Sequence, residues 1–284
     1  MTIIQAVLLG LLQGLTEFLP VSSSGHLAIF QNLFSIGKGV EDLFLFDILL
    51  HLGTLISIFV VFYREIGKLI SEFFGIVVDF FRNIPAWLHR EKGRKILRSP
   101  YRRFAMMIII STIPTGILGI LLKNIVKAAS ATLIMPGICL LINAGLLFFA
   151  ERMPEGYKTP RDASFLDAVL VGIAQGFATL PGISRSGSTI TTGLMCGFDS
   201  KFVIRYSFIM SIPAVLGAVV LEIKDAIGTH FEISYLVGTL VAAVVGYIAI
   251  RVMLMIVRKR RYLFFSIYCL VIGLVAIAGH FIKK

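Results

Sequence analysis

The chain has 284 residues, 57% of them hydrophobic and 15% charged, with a formal net charge of +11. A mean hydropathy of +0.90 excludes an ordinary soluble globule, whose surface needs more charge than this. The Lys and Arg excess does not point to nucleic acid either, because most of it sits in segments between apolar runs.

In chain order, Met1 to Leu12 superficially resembles a secretory signal. No basic residue precedes the apolar run and no A-x-A-like site follows it, so it is read as part of the mature protein. Ile3 to Leu15 gives about 20 Å of helix, short of a bilayer core of about 30 Å. Pro20 then interrupts the helix, Ser22 to Gly25 follow, and Leu27 to Phe34 is again apolar and short. The expectation is a re-entrant hairpin: helix in, polar turn at depth, helix out. Such irregular backbone is tolerated where protein buries it or water reaches it. Six longer runs, 43–63, 104–122, 132–150, 202–222, 235–257 and 263–281, can each cross a membrane. Between the first two lies 64–103, with ten Lys and Arg. Within it, Ile66 to Phe81 reads as an interfacial amphipathic helix or an extension of the span before it.

The segment AVLLGLLQGLTEFLPVSSSGH (6–26) returns as AVLVGIAQGFATLPGISRSGS (168–188). Shifted by 162 residues without a gap, Ala6, Val7, Gly10, Gln13, Gly14, Ser22, Ser24 and Gly25 meet identical partners. The chain therefore reads as a duplication, with halves at about 1–150 and 163–284 inside a single membrane domain, 1–284. Each half holds one broken short segment, the second at 165–200, followed by three spans. Three is odd, so the halves must enter the membrane from opposite faces. The expected fold is an all-α integral membrane protein with about six transmembrane helices, two re-entrant helical hairpins and an inverted-topology repeat. Sites in such repeats lie near the midplane, where broken helices meet.

Gln13 and Glu17 share a helical face, as do Gly10 and Gly14. The glycines suit close helix packing. Glu17 is an intramembrane carboxylate, which needs a partner and marks a functional site. Ser22, Ser23, Ser24 and His26 gather three hydroxyls and an imidazole in one turn. An N-cap accounts for one serine but not for His26, whose ring exchanges a proton near neutral pH. The start of the outgoing helix, at Ser24 and Gly25, offers free N–H groups to an anion. The second turn has Gly182 and Gly187 for tight backbone and Ser184, Ser186, Ser188 and Thr189 as donors. It also has Arg185, whose planar fork matches phosphate. Arg185 paired with Glu17 as a structural ion pair would leave two hydroxyl-rich turns without a role. A phosphate-bearing substrate between the turns satisfies both.

The pairing of Gln13-x-x-x-Glu17 with PGISRSGST (181–189) and the VSSSGH continuation resembles the bacterial undecaprenyl-diphosphatase family linked to bacitracin resistance. The resemblance covers essentially the whole chain, and the two motifs together are specific. Some members carry Glu where this chain has Gln13, so a second carboxylate there is not essential here. The resemblance implies hydrolysis of undecaprenyl diphosphate to undecaprenyl phosphate and inorganic phosphate, recycling the lipid carrier of cell-wall synthesis. It implies a divalent cation, Mg²⁺ or Ca²⁺, with Glu17 as its ligand or as the proton acceptor. It places Glu17, His26 and Arg185 at the catalytic centre with Ser23 as a nucleophile, and leaves open a phosphoserine intermediate or direct attack by water. A homodimer is compatible with it. The competing reading is a transporter or flippase of lipid phosphates, which the inverted repeat supports.

Asp47 and His51, four apart in the first span, are read as a core pair or as support for the site. Asn143 is read as interhelical glue. Cys139, Cys196 and Cys269 lack metal spacing and read as small core residues. Orientation follows loop charge. Lys and Arg number 17 in 64–103, 151–166 and 258–261, against five in 123–131, 223–234 and the C-terminal end. Both termini and the mouth of the site are therefore expected on the outer side of a plasma membrane.

Overall fold

A computed structural model describes residues 1–34, 41–89, 93, 95–226, 231–258 and 261–282. Several of the loop cations that carry the orientation argument, Arg90, Lys92, Arg94, Lys259, Arg260, Lys283 and Lys284, lie outside the described residues. Regular structure among the described residues is helical: α1 (Ile3–Phe18), α2 (Ser23–Phe34), α3 (Glu41–Leu88), α4 (Pro100–Ser130), α5 (Ile134–Arg152), α6 (Phe165–Phe177), α7 (Arg185–Met195), α8 (Ser200–Ala226), α9 (Ile233–Arg258) and α10 (Leu263–Ile282). One isolated β-bridge joins Lys158 to Phe198.

Six helices, α3, α4, α5, α8, α9 and α10, are long and apolar enough to cross a membrane. Large apolar side chains such as Phe74, Ile117, Val220, Leu240, Phe264 and Val275 stand exposed along them. A water-soluble surface does not tolerate so much exposed apolar area, whereas lipid is its natural solvent. The chain is a multi-pass membrane protein. The charged stretch after the first span is helical, and a kink divides it from that span. It continues α3 for several turns past Phe62, where the backbone departs from helical geometry (φ −109°, ψ 19°). The extension is held by Arg102 of α4, which is 2% exposed. Its Nε donates to Glu72 at 2.9 Å and its Nη1 to Asp79 at 2.6 Å.

The two short broken segments begin alike. Thr2 caps α1 and Ser164 caps α6, each in a reciprocal capping box with the side chain three residues on, Gln5 and Asp167. Each then packs on a helix of the other half. The most extensive contact of α1 is with α9, and that of α6 is with α4. Glycines make this approach close, as expected of Gly10 and Gly14. A Cβ on Gly14 would stand 2.8 Å from the Ala242 carbonyl oxygen, and one on Gly176 would stand 2.6 Å from the Leu118 side chain. α5 and α10 pack together beside both breaks.

Candidate functional site

The helix breaks have local causes. Pro20 cannot continue α1 and holds the residue before it extended, and Leu19 is accordingly at φ −72°, ψ 146°. Ser22 takes a left-handed φ of 71°, which costs a non-glycine residue about 1–2 kcal/mol. Its hydroxyl offsets this by accepting from Gly25 N at 3.2 Å and Gly182 N at 3.1 Å. In the second break Ser184 does the equivalent work, accepting from Gly187 N at 3.0 Å. The duplicated serines therefore start both outgoing helices. Ser24 lies 3.4 Å from Ser22 and Ser186 lies 3.2 Å from Ser184, hydroxyl to hydroxyl.

The two turns touch. Besides the Ser22–Gly182 bond, Ser186 Oγ donates to the Leu19 carbonyl at 3.2 Å. Gly182, at φ +104°, follows a course that L side chains rarely adopt. A Cβ on Gly25 would stand 2.7 Å from Gly182 Cα. Asn143 of α5 clamps both turns: its Nδ2 donates to Pro20 O at 2.9 Å and its Oδ1 accepts from Ser184 N at 3.2 Å. It is more than interhelical glue. Asn143→Leu keeps the volume but strands a buried carbonyl and a buried N–H, each worth about 1–3 kcal/mol. The expected result is a clear drop in detergent melting temperature together with reduced activity. An unchanged melting curve would mean that the turns do not depend on the clamp.

At the junction Glu17, 8% exposed, is fully engaged. Its Oε1 accepts from Arg185 Nη2 at 2.8 Å. Its Oε2 accepts from Ser23 Oγ at 2.6 Å and Gln13 Nε2 at 2.9 Å. His51 Nε2 stands 4.0 Å from Oε2. The structural ion pair and the anion site are not exclusive alternatives, because Arg185 spends one arm on Glu17 while Nη1 is buried without a partner. A buried guanidinium arm facing no acceptor is costly, and an anion is what would complete it.

Not every expected residue converges here. His26 lies in the first turn of α2, but its Nδ1 is 2.7 Å from Ser22 O and its Nε2 is 2.9 Å from Tyr268 Oη, so no ring nitrogen is spent on Ser23. The oxygen within reach of Ser23 belongs to Glu17. Thr189 faces α8, bonded to Arg185 O at 2.8 Å and Ser207 Oγ at 2.6 Å. Ser188 Oγ is buried without a partner. Asp47 and His51 do not pair through their side chains. His51 Nδ1 donates to the Asp47 carbonyl at 2.8 Å, while Asp47 Oδ1 accepts from Gln31 at 3.2 Å. Tyr268 was not legible in the sequence, being one aromatic among many in an apolar span.

Among the described residues no group of three or more His, Cys, Asp or Glu converges as a metal cage. Mg²⁺, however, commonly binds through one or two carboxylates plus substrate phosphates and keeps several waters. At the junction Glu17 is the carboxylate that would hold such a cation.

Fold and site together define a multi-pass membrane protein in which two polar turns touch around a buried guanidinium with one unpartnered arm. The sequence model of the family described as "Bacitracin resistance protein BacA" matches residues 6–275, and the chain belongs to that family. It is 41% identical over 276 residues to a protein of Methanosphaera stadtmanae named undecaprenyl-diphosphatase, covering 97% of each chain. Proteins of the same name from Alkaliphilus metalliredigens (41% over 282 residues, 98% of each) and Methanobrevibacter smithii (39% over 283 residues, 98% of each) are similarly related.

Proposed function

We propose that this chain hydrolyses undecaprenyl diphosphate to undecaprenyl phosphate and inorganic phosphate, the activity its relatives are named for. One structural observation carries the reading: the unpartnered Nη1 of Arg185 lies on the same guanidinium that holds Glu17, and Glu17 holds the Ser23 hydroxyl. Phosphoryl transfer is catalysed mainly by positioning and charge stabilisation. Arg185 and the N–H groups at the starts of α2 and α7 hold the terminal phosphate. An oxygen attacks its phosphorus, the bond to the bridging oxygen breaks, and that oxygen leaves on the undecaprenyl phosphate. Glu17 takes the proton of the attacking oxygen, which is either a water or Ser23 Oγ; in the second case a water then attacks the phosphoserine and releases inorganic phosphate with Ser23 restored. His26 supplies a proton to the departing oxygen. A divalent cation bound with the diphosphate would add charge neutralisation there, with Glu17 as its protein ligand. Phosphate release by purified protein in detergent tests the reading. A transporter needs sealed compartments and would release none.

The finer architecture belongs to the same proposal. α1 and α6, about 24 and 20 Å long at 1.5 Å per residue, are short for a core of about 30 Å. With their matching caps and swapped packing partners, they support two re-entrant hairpins in an inverted repeat. Loop charge supports an orientation with both termini outside and the mouth beside α1–α2 facing outward. For Ser24→Cys in a background lacking the three native cysteines, a membrane-impermeant maleimide should label intact cells. Labelling that appears only after the cells are opened would reverse the orientation.

A further inference from the structure

His26 is held at both nitrogens. The Ser22 carbonyl at 2.7 Å from Nδ1 can only accept, so Nδ1 carries a hydrogen and Nε2 is the atom at which the ring gains or loses a proton. That atom is 2.9 Å from the hydroxyl of Tyr268. The two rings are parallel within 5°, with centroids 5.6 Å apart. Tyr268 stands on α10, 242 residues away in sequence. The α10 backbone around it is fastened to α5. Ser266 Oγ donates to Ala144 O at 2.7 Å, and Asn143 Nδ2 lies 3.3 Å from Cys269 Sγ. Asn143 is also the clamp on both turns, so one helix sets the positions of the turns and of the tyrosine together.

A tyrosine on a membrane-protein helix is commonly an interfacial anchor. Anchoring alone does not require its hydroxyl to meet the one titrating atom of a buried histidine. We propose that Tyr268 is a positioning residue for the phosphate chemistry, orienting His26 through Nε2. The proposal rests on the reading of His26 as a proton donor at the site. A phenol both donates and accepts. It donates to Nε2 of the neutral ring and accepts from Nε2–H of the imidazolium, so it keeps the ring in one orientation through a proton cycle. A departing phosphate oxygen then competes with the phenol for a proton already aimed.

The test compares Tyr268→Phe, His26→Ala and the double variant, using phosphate release from undecaprenyl diphosphate in detergent. Phenylalanine keeps the ring and removes the hydroxyl. Positioned acids and bases contribute about 10²–10⁴-fold. Loss of an orienting partner should forfeit part of that, about fivefold in kcat, with KM within about twofold and an unchanged melting temperature. The pH profile of kcat should move, because the lost bond acts on the titrating atom, whereas a packing defect lowers the profile equally at every pH. In the His26→Ala background the tyrosine hydroxyl should make no further difference. Normal kcat and an unmoved profile for Tyr268→Phe, beside an impaired His26→Ala, would overturn the positioning role alone. An equal loss in both backgrounds would overturn it in favour of a structural role. Normal hydrolysis by His26→Ala would overturn the reading of His26, and this proposal with it.

Discussion

Arg185→Lys is expected to lower turnover at least tenfold, about 1.4 kcal/mol of transition-state stabilisation, although it keeps the positive charge. The reason is geometric. Arg185 holds Glu17 with Nη2 at 2.8 Å and keeps Nη1, buried and unpartnered, for a second acceptor. A lysine ammonium is a single point of charge on a flexible stem. It can follow the carboxylate or the phosphate, and cannot span both in the fixed fork that a planar guanidinium provides. Steady-state phosphate release from undecaprenyl diphosphate reads the effect. Near-normal hydrolysis by this variant would remove Arg185 from the site.

Glu17→Gln should be more damaging, with activity down about 100-fold, or about 2.7 kcal/mol. The amide preserves the shape and a contact to Ser23, yet it cannot take a proton from the attacking oxygen and is a poor ligand for a divalent cation. In the sequence alone, deleting a charge from a membrane segment reads as harmless to folding and insertion. The ion pair changes that expectation. The substitution leaves the Arg185 guanidinium buried without its counter-charge, and breaking a buried pair costs about 3–5 kcal/mol. Water reaching the site reduces that figure, since the arginine side chain keeps 17% of its exposure. The melting temperature of Glu17→Gln should therefore fall, and it should recover in Glu17→Gln/Arg185→Gln while activity does not. Normal hydrolysis by Glu17→Gln across a range of cation concentrations would remove Glu17 from the chemistry. A double variant no more stable than the single would mean that the pair carries no stability.

Much of the architecture was written in the sequence. The six long apolar runs became the six long helices, because backbone in lipid must satisfy its own hydrogen bonds and a sustained apolar run offers one way to do so. The two breaks were legible for a similarly local reason. Pro20, Gly182 and the capping serines Ser22 and Ser184 act within a few residues of themselves. The matching segments were legible residue by residue, and their serines make the same local bond: Ser22 caps through Gly25 as Ser184 caps through Gly187. The repeat also marked where the copies diverge, with Ser23 facing Arg185, Glu17 facing Thr179 and His26 facing Ser188. Those positions are the ones to which the proposed chemistry is assigned.

Pairing across long separations was not legible, because it depends on which helix faces which, and apolar periodicity is nearly mute in a segment that is apolar all round. The sequence could not tell that Ser23 would lie on Glu17 with neither nitrogen of His26 spent on it, or that Thr189 would turn away to Ser207. It could not tell that Asp47 and His51 would part, one toward Gln31 and the other toward Glu17. Nothing around Tyr268 distinguished it from membrane-facing neighbours, and Asn143 was legible as interhelical glue but not as the clamp on both turns. Their roles arise because α5 and α10 pack against each other beside the two turns, and side chains of ordinary type then acquire buried polar partners that must be satisfied. Local chemistry set the turns and their hydroxyls. The packing of helices far apart in the chain decided which of those groups face one another, since a hydrogen bond at depth forms only where tertiary structure brings donor and acceptor within about 3 Å.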